Sequence, residues 1–217
     1  ITHSSYPLAS FSARGDQTPP PPHYRYGVFA YGALNNATLV AEGAVEGLGG
    51  DKCSLVHRVH GTGAKPAQEF VENEPIADHG AALRRTLELL QKGAAGVTPV
   101  LKNASDVKCV GHRVVHGGPL TAATLLEAEA MATIREAAAL APLHNPPAIA
   151  GIDVAKEVFP GIPQVGVFDT AFHSTMGPEA YLYALPKELA DKGVRRYGFH
   201  GTSYTFVTQK TAELLGK

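Results

Sequence analysis

Apolar residues in the first part of the chain alternate with polar ones, as they do in strands that have one buried face. Residues 54–59 (SLVHRV) show this alternation, and residues 26–31 (YGVFAY) and 37–41 (ATLVA) form two short apolar runs around an Asn-Asn turn. The glycines of residues 43–50 (GAVEGLGG) then indicate a loop. We therefore expect the chain to open as a β-meander.

After residue 77 the apolar spacing changes to the three and four residues of an amphipathic helix. Residues 78–92 place Ala82, Leu83, Leu87 and Leu90 on one face and end before Gly93. The later pattern predicts strands at 108–115 and 163–169 and helices at 124–140 and 149–159, with prolines 146 and 147 breaking the chain before the last helix. This order predicts an α/β domain in which helices flank a mixed sheet.

The N-terminal segment has a different composition from the rest of the chain. It is rich in Ser and Pro, and four consecutive prolines at 19–22 supply no backbone donors for a helix or a sheet. We expect residues 1–25 to be irregular and residues 26–217 to form the folded domain.

Composition excludes several functional classes. The 19 Lys and Arg residues balance 20 Asp and Glu residues, so the formal net charge of −1 gives no reason to expect nucleic acid or an anionic membrane as a partner. No apolar run approaches the roughly 20 residues that span a bilayer. Cys53 and Cys109 lack CxxC spacing, and no basic, apolar leader precedes them, which favours a cytoplasmic protein.

Four polar clusters end predicted apolar elements: GHRVVHGG at 111–118, APLHNPP at 141–147, VFDTAFH at 167–173 and RRYGFHGTS at 195–203. In the first, Arg113 is a planar cation beside Val114 and Val115, a combination that suits a small carboxylate with a short alkyl tail. The alternative is that Arg113 pairs with a surface acid.

The next two clusters each contain one titratable candidate. His144 lies in a proline-rich loop that would hold its imidazole near a transferring phosphoryl group, although a loop histidine is more often structural. Asp169 follows a strand, from which a carboxylate can reach a metal or a reacting group, or can cap the next segment instead.

In the fourth cluster, residues 198–203 have the composition of a tight turn that cradles phosphate. Gly201, Thr202 and Ser203 would supply amides and hydroxyls, with His200 directed at the phosphate. The alternative is an ordinary loop in which Thr202 or Ser203 caps the helix that follows.

Together and in this order, the four clusters resemble motifs of the acetate kinase family, which includes the propionate kinases. The resemblance runs from about residue 43 to residue 217. It implies the ribonuclease H-like fold of the sugar kinase, Hsp70 and actin superfamily, a homodimer, and transfer of phosphate between ATP and acetate with Mg²⁺. Propionate is not distinguished from acetate, because one methylene in an apolar pocket changes binding by only about 1–3 kcal/mol.

The resemblance also implies roles for individual residues. The carboxylate-binding arginine corresponds to Arg113. The remaining correspondences are an alkyl pocket at Val115, Leu143 and Phe199, catalytic histidines at His144 and His200, and a catalytic aspartate near magnesium at Asp169. No metal-ligand set is assigned.

The sequence differs from the family pattern in three places. Two of them, at the phosphate loop and at the C-terminus, lead us to expect an incomplete active site, whereas Tyr204 is a tolerable change because it can still donate a hydrogen bond. Residues 2–6 (THSSY) stand where the family has a phosphate loop with an Asn and a Lys, and Tyr204 replaces a histidine. The sequence also ends at Lys217, before the nucleotide-binding half of the family. A non-catalytic carboxylate-binding protein or an interaction module with the kinase fold is therefore the alternative to an active kinase.

Overall fold

The structure is a computed structural model that describes residues 6–14, 23–31, 37–61 and 66–217. Its strands form one sheet of eight. The strands are β1 (Tyr6–Arg14), β2 (His23–Tyr31), β3 (Ala37–Glu46), β4 (Ser54–Val59), β5 (Gln68–Glu72), β6 (Val110–Val114), β7 (Thr124–Leu125) and β8 (Gln164–Phe168).

The sheet is mixed, as the sequence predicts. Its strand order is β5-β4-β3-β2-β1-β6-β8-β7. The first five strands along the chain are antiparallel neighbours, which confirms the β-meander, whereas β6 runs parallel to both β1 and β8. The carboxyl ends of β6 and β8 therefore lie side by side at one edge of the sheet.

The N-terminal segment is more regular than its composition predicts. Residues 1–25 are predicted to be irregular, but Tyr6–Arg14 forms β1, which pairs with β2 and with β6. Pro7 lies near the start of β1, in the part that pairs with β2 but not with β6, since the pairing with β6 covers only residues 9–11. The proline run at 19–22 and most of the segment at 2–6 lie outside the described residues.

Six α-helices lie in the described part of the chain: α1 (His79–Lys92), α2 (Ala128–Ala137), α3 (Asn145–Val158), α4 (Pro178–Tyr181), α5 (Lys187–Ala190) and α6 (Gly201–Leu215). Helix α1 begins at its N-cap Asp78, whose Oδ1 accepts from the Ala81 N–H at 2.8 Å, and ends at Gly93 with φ of 72°. Within the described ranges, none of these helices has the length and apolar character needed to cross a membrane.

Two predicted helices have different boundaries in the structure. The predicted helix at 124–140 begins only at residue 128, because residues 124 and 125 form β7 at the edge of the sheet and pair with β8. The predicted helix at 149–159 begins earlier, at Asn145. Prolines 146 and 147 occupy its first turn, where a missing N–H costs no helical hydrogen bond.

Two hydrophobic clusters hold the helices against the sheet. The larger lies between the meander and α1, and it includes Val28, Leu55, Leu89 and Phe159. The smaller lies beneath β6 and β8, where α2 and α3 contribute the apolar side chains, and its members are Val114, Leu126, Met131, Ile134, Ile149, Ile152 and Phe168. This second cluster supports the strand ends that carry the candidate site.

Candidate active site

The candidate site is built on the adjacent carboxyl ends of two parallel strands. Arg113 lies on β6, and Asp169 directly follows β8. The Asp169 N–H donates to the Val114 carbonyl at 3.0 Å, which continues the strand pairing by one residue. The register of the sheet thus brings together two residues that are 56 positions apart in the sequence.

Arg113 and Asp169 form a bidentate ion pair. The guanidinium donates from Nε to Oδ1 at 2.9 Å and from Nη2 to Oδ2 at 2.5 Å. The Asp169 side chain is 1% exposed and that of Arg113 is 23% exposed, so the pair is largely removed from water. Arg113 thus pairs with an acid, but that acid is buried at the site and is not the surface acid of the alternative interpretation.

The pair borders a cavity of about 380 Å³ that contains all seven predicted catalytic and substrate-binding residues. Its lining consists of Arg113, Val115, Leu140, Ala141, Pro142, Leu143, His144, Asp169, Phe199 and His200. One wall carries the cation and the carboxylate, whereas most of the remaining side chains are apolar. The cavity can hold a small molecule that has one anionic end and one apolar end.

His144 enters the cavity at the start of α3, where it is the N-cap residue. Its neighbour Asn145 is fully buried and fixes this position. The Asn145 side chain accepts from the His116 N–H at 3.1 Å, and it donates to the carbonyls of His116 at 2.9 Å and Ile134 at 3.3 Å. Asn145 therefore ties α3 to the segment after β6 and to α2.

His116 is a buried residue behind the cavity that sequence analysis does not assign to the site. Burial lowers the pKa of its imidazole, and the ring makes edge contacts with Tyr197 and Phe199 at centroid distances of 4.4 and 5.9 Å. The His116 Nδ1 accepts from the Gly118 N–H at 3.0 Å, so the imidazole is neutral and fixes the turn after β6. The motif HGG is the only sequence signal for this arrangement.

The segment before α6 brings His200 and Phe199 to the lining of the cavity. His200 has φ of 57° and ψ of 25°, the left-handed conformation that is uncommon outside glycine. The Gly201 N–H donates to the Asp169 carbonyl at 2.9 Å, and a Cβ at residue 201 would lie 2.3 Å from that oxygen. Gly201 is thus required for the close approach of α6 to the strand end.

The three predicted phosphate-binding residues differ in their exposure and in the cavities that they line. Gly201 is buried, Thr202 is half-buried, and Ser203 is exposed. Thr202 lines a second cavity of about 440 Å³ that also contacts Arg113 and Val167. Neither cavity is lined by Ser203. Tyr204, which replaces the family histidine, stacks on Phe172 at a centroid distance of 5.7 Å.

The described residues do not by themselves form a magnesium site. Both oxygens of Asp169 accept hydrogen bonds from Arg113, so the charge of this carboxylate is already offset. Within the described ranges, no group of three or more His, Cys, Asp or Glu residues could hold a metal ion. Magnesium is usually held by one or two carboxylates together with phosphate oxygens and water, and each oxygen of Asp169 keeps a second lone pair beside its hydrogen bond from Arg113.

Comparison with solved structures identifies the class of fold. The crystal structure of Porphyromonas gingivalis acetate kinase superimposes with a TM-score of 0.79 at 32% identity and covers 96% of this chain and 49% of that one. A propionate kinase from Francisella tularensis gives the same TM-score at 27% identity, with 97% of this chain and 50% of that chain covered. The fold is therefore the ribonuclease H-like α/β fold of the sugar kinase, Hsp70 and actin superfamily, as predicted.

Sequence comparison identifies the family. The Acetokinase family matches over residues 29–217. The acetate kinase of Clostridium kluyveri is 44% identical over 186 residues, which are 85% of this chain and 44% of that protein. Accordingly, the chain belongs to the acetokinase family. It spans about half the length of the curated relatives that it matches.

Proposed function

We propose that this chain supplies the carboxylate-binding part of a carboxylate kinase that forms acetyl phosphate and ADP from acetate and ATP. The cavity with Arg113 on one wall and apolar side chains on the others is the observation that carries the proposal. The guanidinium of Arg113 and the apolar side chains suit the two ends of a short aliphatic carboxylate. Propionate remains a candidate because one methylene in an apolar pocket changes binding by only about 1–3 kcal/mol.

In this proposal Arg113 binds the carboxylate, and Val115, Leu143 and Phe199 contact its alkyl end. One carboxylate oxygen attacks the γ-phosphorus of ATP in line, a new O–P bond forms, and the bond to the bridging oxygen of ADP breaks. No base is required, since acetate is already ionised. The catalytic contribution is therefore positioning and the stabilisation of charge.

Two histidines from different segments line the cavity. His144 is held at the start of α3 and His200 at the start of α6. We assign both as donors to the oxygens of the transferring phosphoryl group, and Gly201, Thr202 and Ser203 as the phosphate-facing residues of α6. This assignment follows from the family and is supported by the convergence of the two loops on one cavity.

The partners of the whole enzyme are also proposals. Family membership brings ATP and Mg²⁺ as cofactors and a homodimer as the assembly. Among the described residues that line the cavity, Asp169 is the one carboxylate, and its pairing with Arg113 already offsets its charge. We place the protein in the cytoplasm because Cys53 and Cys109 are both free thiols.

The first test measures acetate binding to the 217-residue chain. Nuclear magnetic resonance monitors the signals of the Arg113 side chain and the Phe199 backbone amide during an acetate titration. Acetate should shift both signals, propionate should do the same, and sodium chloride at equal ionic strength should not. Arg113→Ala should abolish the shift at Phe199. The absence of any acetate-specific shift in the wild-type chain would refute the carboxylate site.

The second test is turnover. Acetyl phosphate is trapped with hydroxylamine in the presence of ATP, Mg²⁺ and acetate, and Arg113→Ala is the control. Product that disappears in the control would support a kinase assembled by this chain alone. Binding without product would favour the alternative of a non-catalytic carboxylate-binding protein.

A further inference from the structure

The guanidinium of Arg113 has two edges that can each bind a carboxylate, and only one of them is occupied. Asp169 takes the edge formed by Nε and Nη2. The edge formed by Nη1 and the second Nη2 proton makes no hydrogen bond with the residues that the structure describes. A planar guanidinium can bind two carboxylates at once, one on each edge.

Asp169 is fixed on both sides along the backbone. Its N–H donates to the Val114 carbonyl at 3.0 Å, and its own carbonyl accepts from the Gly201 N–H at 2.9 Å. Its side chain is 1% exposed, so burial leaves it little room to adopt another rotamer. The carboxylate is thus held by β6, β8 and α6 together, and it fixes the plane of the Arg113 guanidinium.

We propose that Asp169 is a positioning residue for carboxylate binding. It remains on the Nε–Nη2 edge of Arg113 while the substrate carboxylate binds the Nη1–Nη2 edge. This inference rests on the proposed function, since it concerns how the same cavity holds its substrate. It gives Asp169 a role that is exerted through Arg113.

The charge of the pair has a consequence for affinity. Arg113 and Asp169 together are neutral, so a second carboxylate on the same guanidinium is attracted by Arg113 and repelled by Asp169. Asp169 therefore orients the arginine at the expense of carboxylate affinity. Asp169→Asn removes the charge and keeps one acceptor oxygen, so this variant should bind acetate severalfold more tightly.

The decisive measurement uses the wild-type chain. The Nε–H signal of Arg113 is followed by ¹⁵N spectroscopy, together with its rate of exchange with water. Without ligand, the Asp169 contact should make this exchange slow. At saturating acetate the exchange should remain slow, because the substrate occupies the other edge. Faster exchange at saturation would show that acetate displaces Asp169, and it would overturn the inference.

The second experiment compares Asp169→Asn with a matched control variant at an exposed ion pair. Arg135 and Asp153 form a similar pair at 2.9 and 3.2 Å, but their side chains are 53% and 46% exposed. Asp169→Asn should accelerate exchange at Arg113 and tighten acetate binding, whereas Asp153→Asn should change neither. Exchange at Arg113 that stays as slow in Asp169→Asn as in the wild-type chain would contradict the positioning role.

The two proposals fail in different ways. If acetate shifts Arg113 and releases its Nε–H, the carboxylate site stands and only the positioning role of Asp169 falls. If acetate produces no specific shift, the proposed function falls, and the inference falls with it. In that case the slow exchange of the ligand-free Nε–H would still report whether the ion pair forms.

Discussion

Asn145 joins three segments behind the candidate site, and its removal should destabilise the whole domain. The side chain is fully buried and makes three hydrogen bonds, to the N–H and the carbonyl of His116 and to the carbonyl of Ile134. Asn145→Ala would leave these three backbone groups without their partner. Each such bond contributes about 1 kcal/mol net, and a buried unpaired group costs about 1–3 kcal/mol.

We therefore expect Asn145→Ala to lower the free energy of unfolding by about 3–5 kcal/mol. The assay is urea-induced unfolding followed by far-ultraviolet circular dichroism, with the midpoint and the slope fitted separately. Asn73→Ala is the matched control, because Asn73 is exposed and should tolerate the change within about 0.5 kcal/mol.

A loss below about 1 kcal/mol in Asn145→Ala would refute this reasoning, since it would mean that water or a neighbouring group satisfies the three backbone atoms at almost no cost. An equal loss in Asn73→Ala would refute it as well. The variant also tests the site, because Asn145 connects the N-cap residue His144 to the segment after β6. Where the variant still folds, acetate-induced shifts at Phe199 should weaken.

Three further predictions concern stability. Burial lowers the pKa of His57 from 6.5 to about 4. Between pH 6.5 and pH 4 the unfolded chain therefore binds a proton at His57 that the folded chain does not, so the free energy of unfolding should fall by about 3 kcal/mol over this range. Urea unfolding of the wild-type chain and of His57→Gln tests this, because the variant should lose the part of the fall that is due to His57. Arg113→Ala leaves the buried carboxylate of Asp169 without its partner and should lower the free energy of unfolding by about 3–5 kcal/mol, as measured in urea. Arg135→Ala, at the exposed pair, should lower it by less than about 1 kcal/mol. Equal losses in the two variants would contradict the buried pair. Gly201→Ala should lower the melting temperature, because the new Cβ would lie 2.3 Å from a backbone oxygen. Gly151→Ala should raise it, because a Cβ there has no atom within 4 Å and alanine favours the helix. A higher melting temperature for Gly201→Ala than for Gly151→Ala would contradict the close packing of α6.

The sequence was sufficient to predict elements whose pattern is local. Strand β4 has the predicted bounds, and α1 begins after Asp78 and ends before Gly93 as its capping residues indicate. The prediction failed where the sheet overrides local preference. Residues 124 and 125 join the sheet beside β8, and β1 forms in a segment whose composition indicates irregular structure.

The order of the motifs in the sequence also determined the family and the composition of the candidate site. Seven residues selected from the four motifs line one cavity. These residues could be selected from the sequence because a cation, a carboxylate and imidazoles are an unusual combination at the ends of apolar elements. Their individual roles remain predictions.

Only the tertiary structure decided which polar groups pair with one another. The bidentate contact between Arg113 and Asp169 depends on the parallel register of β6 and β8, and the role of Asn145 depends on the crossing of α2, α3 and the turn after β6. Pairing across strands and helices brings together residues that are distant in sequence, and no local pattern contains that information. The sequence by itself thus determined the family and the chemistry available, while the packing of the sheet and helices decided how that chemistry is arranged.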